Sequence, residues 1–312
     1  MTIVAVSGAN GFVGNALVRT LVARQVEVVP LIRPGTRLPH AAGSRDLPDL
    51  EKLDAGSGNV DFAAIDVVVH CAALPQSRKG ASDDERARLF AVNATATRVM
   101  AEQAAAAGVR RFILLSSAKV NGESTVDDQA FSASDKPAPG DDYARSKLEA
   151  EQLLAAVGQS TGMETVVIRP PLVYGTGVKG NFAQLVRLAA RGWPLPLGAV
   201  RNRRSMVAVE NLTDLIAATL DHPKAAGGTF MVSDGEDLST PELISRLATL
   251  QGAKAVLPAF PPALLQAAFV LLGQRAIADR LLGSLRIDNR STRETLNWMP
   301  RLSVDEARRR TM

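Results

Sequence analysis

Two side chains four residues apart could carry proton chemistry. In Tyr143-Ala-Arg-Ser-Lys147 a helix would set the phenol and the ammonium side by side on one face. A free tyrosine ionises near ~10, too high for efficient proton transfer at neutral pH, and an adjacent cation is expected to lower that value. A hydroxyl that could polarise the same substrate oxygen stands in Leu114-Leu-Ser116-Ser117-Ala-Lys-Val-Asn-Gly122, just past an apolar run. Taken singly, each has a plainer explanation: a packed tyrosine, a solvated lysine, serines capping a strand end. A third segment, Gly8-Ala-Asn-Gly11-Phe-Val-Gly14, directly follows an apolar β-branched run and opens a helical pattern. Glycines so placed allow a tight turn, backbone approach to a pyrophosphate and close helix–strand packing. The helix N-terminus then faces the phosphates with free N–H groups.

The elements that must position these residues alternate along the first half of the chain. Ile3 to Val6, Val26 to Ile32, Val67 to Val69, Arg111 to Leu115 and Glu164 to Ile168 read as strands. Phe12 to Ala23, Glu85 to Ala106 and Tyr143 to Ala156 read as helices. This alternation predicts an α/β fold of Rossmann type, a doubly wound parallel sheet with helices on both faces. Ligands of such sheets sit beyond the carboxyl ends of the strands, where the glycine loop and Ser117 would both lie. Residues 33–65 show no clear pattern. Past Pro170 proline and glycine punctuation increases, and helical patterns return at Phe182 to Ala190, Asn211 to Leu220, Pro241 to Leu250 and Pro262 to Leu272. The expected division is a dinucleotide-binding domain over residues 1–170 and a smaller, mixed, substrate-binding region over 171–312, with some of its strands returning to the main sheet.

Composition narrows the function. The net charge of +4 comes partly from Arg201, Arg203, Arg204 and Arg308 to Arg310, clusters too short and too poor in aromatic residues for a nucleic-acid surface. One cysteine, Cys71, allows no internal disulfide and fits a reducing cytoplasm. The start of the chain lacks the basic and apolar regions of a signal peptide. Ala263 to Gly273, the longest apolar stretch, is too short to span a bilayer. It is expected as a buried helix, with an interfacial helix as the alternative. His40, His70 and His222 are scattered, so no metal site is expected, and His70 and Cys71 read as packing residues. The second strand ends Val28-Val-Pro-Leu-Ile-Arg33 without the acid that would bind adenosine ribose hydroxyls. Arg33 could instead pair with a 2′-phosphate, which favours NADP(H) and leaves NAD(H) as the alternative.

Taken together the chain resembles the extended short-chain dehydrogenase/reductase family, in particular its NAD-dependent epimerase/dehydratase branch. The likeness also includes Asp66-Val-Val-Val-His-Cys-Ala-Ala73, Val92-Asn93 and Arg169-Pro-Pro-Leu-Val-Tyr-Gly175. It implies catalytic roles for Ser117, Tyr143 and Lys147. It implies cofactor contacts at Gly8, Gly11, Phe12, Val13, Gly14, Ala72, Ala73, Tyr143, Lys147, Pro170 and Val173, and an adenine-contacting acid at Asp49 or Asp54. On the substrate side it implies a UDP-linked sugar, with Asn181 and Arg204 on the diphosphate, Leu197 in the stretch that brackets uracil, and Lys119 nearby. A homodimer through the helices 85–106 and 143–156 would follow the family.

The reaction is narrowed by one departure. Members of the branch that eliminate water carry Asp-Glu directly after the catalytic serine or threonine, and this chain has Ala118-Lys119. What remains is hydride chemistry at sugar carbon 4. The expectation is an NADP(H)-dependent 4-keto-reductase acting on UDP-2-acetamido-2,6-dideoxy-4-hexulose for bacterial surface polysaccharide. Alternatives are a UDP-sugar 4-epimerase with retained NAD, a reductase of steroids or other small carbonyls, and, from another class, a non-catalytic dinucleotide-binding regulator. The configuration of the product at carbon 4 is not set by these residues.

Overall fold

The computed structural model describes residues 2–38, 43–53, 58–75, 82–126, 128–178, 185, 189 and 192–311. The main sheet is formed by β1 (Ile3–Ser7), β2 (Glu27–Ile32), β3 (Arg45–Asp46), β4 (Val67–His70), β5 (Arg111–Leu115), β6 (Glu164–Arg169) and β9 (Thr229–Met231). Its order is β3-β2-β1-β4-β5-β6-β9, and every neighbouring pair is parallel. Chain order reverses between β1 and β4, so a crevice opens at their carboxyl ends.

Side-chain alternation along each strand feeds two cores, one on each face. Val4, Val6, Val67, Val69 and Ile113 pack with Leu17, Val18 and Leu21 of α1 (Phe12–Ala23) and with Leu212, Leu215 and Ile216 of the helix Val209–Thr219. On the opposite face Ala5, Leu31, Val68, Phe112 and Leu114 meet Val99 and Met100 of α3 (Ala96–Ala106) and Leu154 of α4 (Asp142–Thr161). Asp141 caps α4 by accepting from Ala144 N at 2.7 Å, and Gly162 ends it in the left-handed region.

The helix expected over 85–106 is interrupted. It runs as α2 (Asp83–Phe90), a π-helical turn at Ala91–Thr95, and α3. The turn holds buried Asn93, whose side chain accepts from Leu74 N at 2.8 Å and donates to Leu74 O at 3.2 Å and to Ser146 Oγ at 3.0 Å. Asn93 thereby ties the loop after β4 to the helix that carries Tyr143 and Lys147.

A second sheet joins β7 (Leu172–Tyr174), β8 (Arg204–Ala208) and β10 (Asp237–Leu238), with β7 and β8 parallel and β10 antiparallel. Its core gathers Tyr174, Leu197, Met206, Leu243 and Leu247. The region after residue 170 is therefore interleaved: β9 and the helix Val209–Thr219 belong to the main sheet and its first core. The expected helix Phe182 to Ala190 lies almost entirely outside the described residues. The helix Pro262–Leu271 departs from expectation, because it is not buried. Only Leu265 is, while Leu264, Leu271 and Leu272 lie open to solvent. Among the described residues no helix is long and apolar enough to cross a membrane, and no group of His, Cys, Asp and Glu could hold a metal ion.

Candidate active site

The glycine loop has the backbone of a phosphate cradle. Gly8 adopts φ +66°, and a Cβ there would lie 2.6 Å from Ala72 N. A Cβ on Gly14 would meet Gly8 O at 2.2 Å. Gly8 O accepts from Gly11 N at 2.8 Å, closing the turn. Gly11 caps α1 without a side-chain hydrogen bond, so the helix presents its first N–H groups and its positive dipole end to the crevice. The residues present fit a dinucleotide: no larger residue would let loop, helix and the strand end at Ala72 approach so closely. Phe12 and Val13 open α1 half-buried, Ala72 and Ala73 follow β4, and Pro170 and Val173 flank the step from β6 to β7. Beneath the loop Ser7 Oγ and His70 Nδ1 form a buried hydrogen bond at 2.7 Å.

Ser117 follows β5, and α4, which carries Tyr143 and Lys147, packs against the turn after it. Lys147 is 1 % exposed, and burial pulls its ammonium down to about 8 against the opposing pull of Glu151. Its charge is felt at His70 and Cys71, so the ammonium lies near the end of β4. Burial drives the His70 imidazole down to about 3 and the Cys71 thiol up to about 12. Neither group is poised for proton exchange at neutral pH, as expected of packing residues.

Tyr143 corrects an expectation. The neighbouring lysine was to lower its pKa, but burial, reinforced by the Asp141 carboxylate, pushes the phenol up to about 12. The causes are loss of solvent and the Asp141 carboxylate, and Lys147, itself pulled down by burial, does not offset them. The phenol is thus held protonated, the form that donates.

The two serines separate clearly. Ser116 is buried and donates to Glu151, which also takes two bonds from Arg169, at 3.0 Å from Nε and 2.5 Å from Nη2. Arg169 Nη1 reaches Asn121 Oδ1 at 3.0 Å, and Asn121 Nδ2 donates to Ser132 O at 2.8 Å. This buried network pins the loop after β5 to α4 and β6. Ser117, half-buried, is not part of this network; its hydroxyl caps the turn after β5 by accepting from Lys119 N at 3.2 Å.

On the substrate side Lys119 is engaged by protein carboxylates, Glu123 at 3.0 Å and Asp141. Glu123 also acts on the Arg204 guanidinium, whose pKa is lowered by burial and by the nearby charge of Arg280. Arg204, Glu123, Lys119 and Asp141 therefore form one charged wall leading to Tyr143. Leu197 is placed elsewhere: its side chain is buried in the core of the second sheet. Asn181 lies outside the described residues, as does Asp54. Asp49 is exposed past β3, with Oδ1 accepting from Glu51 N at 3.2 Å. Arg33 is exposed directly after β2.

Sequence reasoning missed Asp46, Arg280 and the Glu151–Arg169 pair. Asp46 ends β3 in register with Ile32, the residue before Arg33. Glu151 follows Lys147 by four residues on the same face of α4, a spacing that could have marked it. A cavity of about 540 Å³ lined by Arg201, Arg203, Arg246, Asp237 and Glu242 lies apart from this set. None of Ser117, Tyr143 or Lys147 lines it, and it is not the active site.

A buried lysine one helical turn from a tyrosine, with a glycine cradle on a doubly wound parallel sheet, has the architecture of the extended short-chain dehydrogenase/reductase class. The family profile of the NAD dependent epimerase/dehydratase family matches residues 4–233, and the chain belongs to that family. It is 40 % identical over 313 aligned positions, 98 % of this chain and 93 % of the relative, to a UDP-glucose 4-epimerase of Vibrio cholerae. It is 31 % identical to a 3 beta-hydroxysteroid dehydrogenase/Delta 5-->4-isomerase of Mycobacterium tuberculosis, covering 76 % of this chain and 66 % of that one. Among solved structures, MoeE5 in complex with UDP-glucose and NAD superposes with a TM-score of 0.77, at 25 % identity over 99 % of this chain and 96 % of that chain.

Proposed function

We propose that the protein reduces a 4-keto sugar carried on UDP, using NADPH, and that UDP-2-acetamido-2,6-dideoxy-4-hexulose is the substrate to test first. The observation that carries the direction is Arg33, an exposed guanidinium at the end of β2 where no acid stands to receive a ribose 2′-hydroxyl.

When bound, reduced nicotinamide supplies the hydride that carbon 4 accepts. Ser117 donates a hydrogen bond to the ketone oxygen and polarises it. Tyr143 passes its hydroxyl proton to that oxygen as the ketone becomes a secondary alcohol. Lys147 stabilises the phenolate left behind, and its depressed pKa lets it return a proton near neutrality. Arg204 and Arg280 would grip the substrate diphosphate, for which paired guanidinium groups are suited, and Asp46, paired with Ile32 at the end of β3, would meet the adenosine end. The glycine loop and the first turn of α1 would hold the pyrophosphate.

A second reading, a UDP-sugar 4-epimerase with retained NAD, is favoured by the 40 % identity to the Vibrio cholerae protein. One experiment separates them: purified protein is incubated with the keto sugar nucleotide and NADPH, and loss of reduced nicotinamide is followed. Stoichiometric oxidation, lowered about 10²- to 10⁴-fold in kcat by Tyr143→Phe, is expected. Interconversion of UDP-glucose and UDP-galactose without added cofactor, and no NADPH oxidation, would establish the epimerase instead.

A further inference from the structure

The helix Pro262–Leu271 and the turn after it carry a set of apolar side chains that the sugar chemistry does not use. Leu264 is 57 % exposed, Leu271 87 % and Leu272 72 %. Leu264, Ala268 and Leu271 follow the i, i+4, i+7 spacing of one helix face. Phe260, two residues before the helix, and Trp193 are also exposed. Pro194 bridges to Val256, and Leu195 N donates to Val256 O at 2.9 Å, which sets the loop after Trp193 against the segment leading into the helix. Each large aliphatic side chain left in water forgoes about 1.5–3 kcal/mol of burial, and soluble chains rarely leave such patches uncovered without use.

Charge indicates what covers the patch. From Leu243 to Ala278 the chain carries no aspartate or glutamate and three cations: Arg246, paired with Glu236, Lys254, and Arg275, whose guanidinium lies 4.0 Å from Asp279 one turn further on. Lys254 and Arg275 bracket the apolar run, and both are exposed. An apolar helix edged by aromatic residues, with cations at both ends and no carboxylate between, suits a bilayer surface of negative charge. A second copy of the chain is a poorer match, since a two-fold contact would bring Lys254 and Arg275 toward their own counterparts while the neighbouring acid, Asp279, is already engaged by Arg275.

We propose that this helix is a peripheral membrane-docking element, seating Trp193, Phe260, Leu264, Leu271 and Leu272 in the headgroup region of an anionic bilayer with Lys254 and Arg275 at the level of the lipid phosphates. Docking is independent of which sugar reaction the site performs. The helix Arg275–Leu282 packs against the docking helix and carries Arg280, the neighbour of Arg204. The bilayer would therefore lie one helix away from the substrate side of the cleft.

The test is co-sedimentation of the full chain with phosphatidylcholine vesicles, with and without phosphatidylglycerol, alongside tryptophan emission. The chain has two tryptophans; Trp298 is buried and bonded to Asp214 at 2.7 Å, so a blue shift on adding vesicles reports Trp193. Binding to phosphatidylglycerol vesicles with a blue shift is expected, reduced by salt. Leu271→Asp with Leu272→Asp should lower the partition coefficient more than about tenfold while leaving the unfolding midpoint in place, because both positions are open to water. Failure to sediment with either vesicle would overturn the proposal. So would a dimer in sedimentation velocity that the double variant dissociates, since a second copy would then cover the face.

Discussion

Replacing Lys147 by methionine should make the protein more stable and inactive. The lysine is buried, and its ammonium is held near 8 against an ordinary value of 10.5. Well below pH 8 both folded and unfolded chains carry the proton, so the folded state bears the full penalty of the buried charge. At 1.36 kcal/mol per pH unit this penalty is about 3 kcal/mol at pH 7. Between pH 8 and 10.5 the folded chain sheds the proton first, and the penalty shrinks to about 1 kcal/mol by pH 10. Methionine fills a similar volume without charge, and Glu151 keeps its two bonds from Arg169. Urea unfolding of both proteins at pH 7 and pH 10 reads the difference directly. Lys147→Met is expected to gain about 3 kcal/mol at the lower pH and to lose most of that advantage at the higher. Its kcat should fall more than about 100-fold. An advantage that is absent at pH 7, or that does not shrink by pH 10, would refute the idea that desolvation dominates at Lys147.

Other perturbations follow from the same geometry. Gly8→Ala forces a Cβ onto a left-handed backbone 2.6 Å from Ala72 N; a loss of more than about 1 kcal/mol in stability and weakened dinucleotide binding by calorimetry are expected. Arg33→Asp should weaken NADPH binding about tenfold to a hundredfold while leaving NADH within a few-fold, as read by fluorescence titration. Arg169→Met strands the Glu151 carboxylate in the interior, and a destabilisation of about 3–5 kcal/mol in urea unfolding is expected. A smaller change would mean that water or a proton relieves the buried charge.

Much of the fold was legible because its signals are local. Arg111–Leu115 and Phe12–Ala23 have the bounds their patterns imply, and the parallel sheet follows from alternation of short β-branched runs with helices. The two-residue β3 was not legible, since Arg45 and Asp46 carry no apolar periodicity and pair only because β2 lies beside them. The π-turn at Ala91–Thr95 was hidden inside a continuous helical pattern; its reason is Asn93, which binds partners 19 and 53 residues away. The helix Pro262–Leu271 was read as buried because apolarity is a property of residues, whereas burial depends on what packs against them.

For the site, the sequence by itself determined the glycine spacing, the tyrosine and lysine one helical turn apart, and the absence of an acid at the end of the second strand, where Arg33 follows. These are relations between near neighbours, and backbone geometry converts them into position. Only the tertiary structure decided that Glu151 and Arg169 lock Ser116 while Ser117 stays outside that network, and that the charge of Arg280 acts on Arg204. It also decided the protonation of Tyr143, raised by burial where adjacency to a cation implied lowering. The reason is physical: a side chain's charge state depends on how much water the whole fold removes from it and on which distant carboxylates it brings near, and neither quantity is written in local spacing.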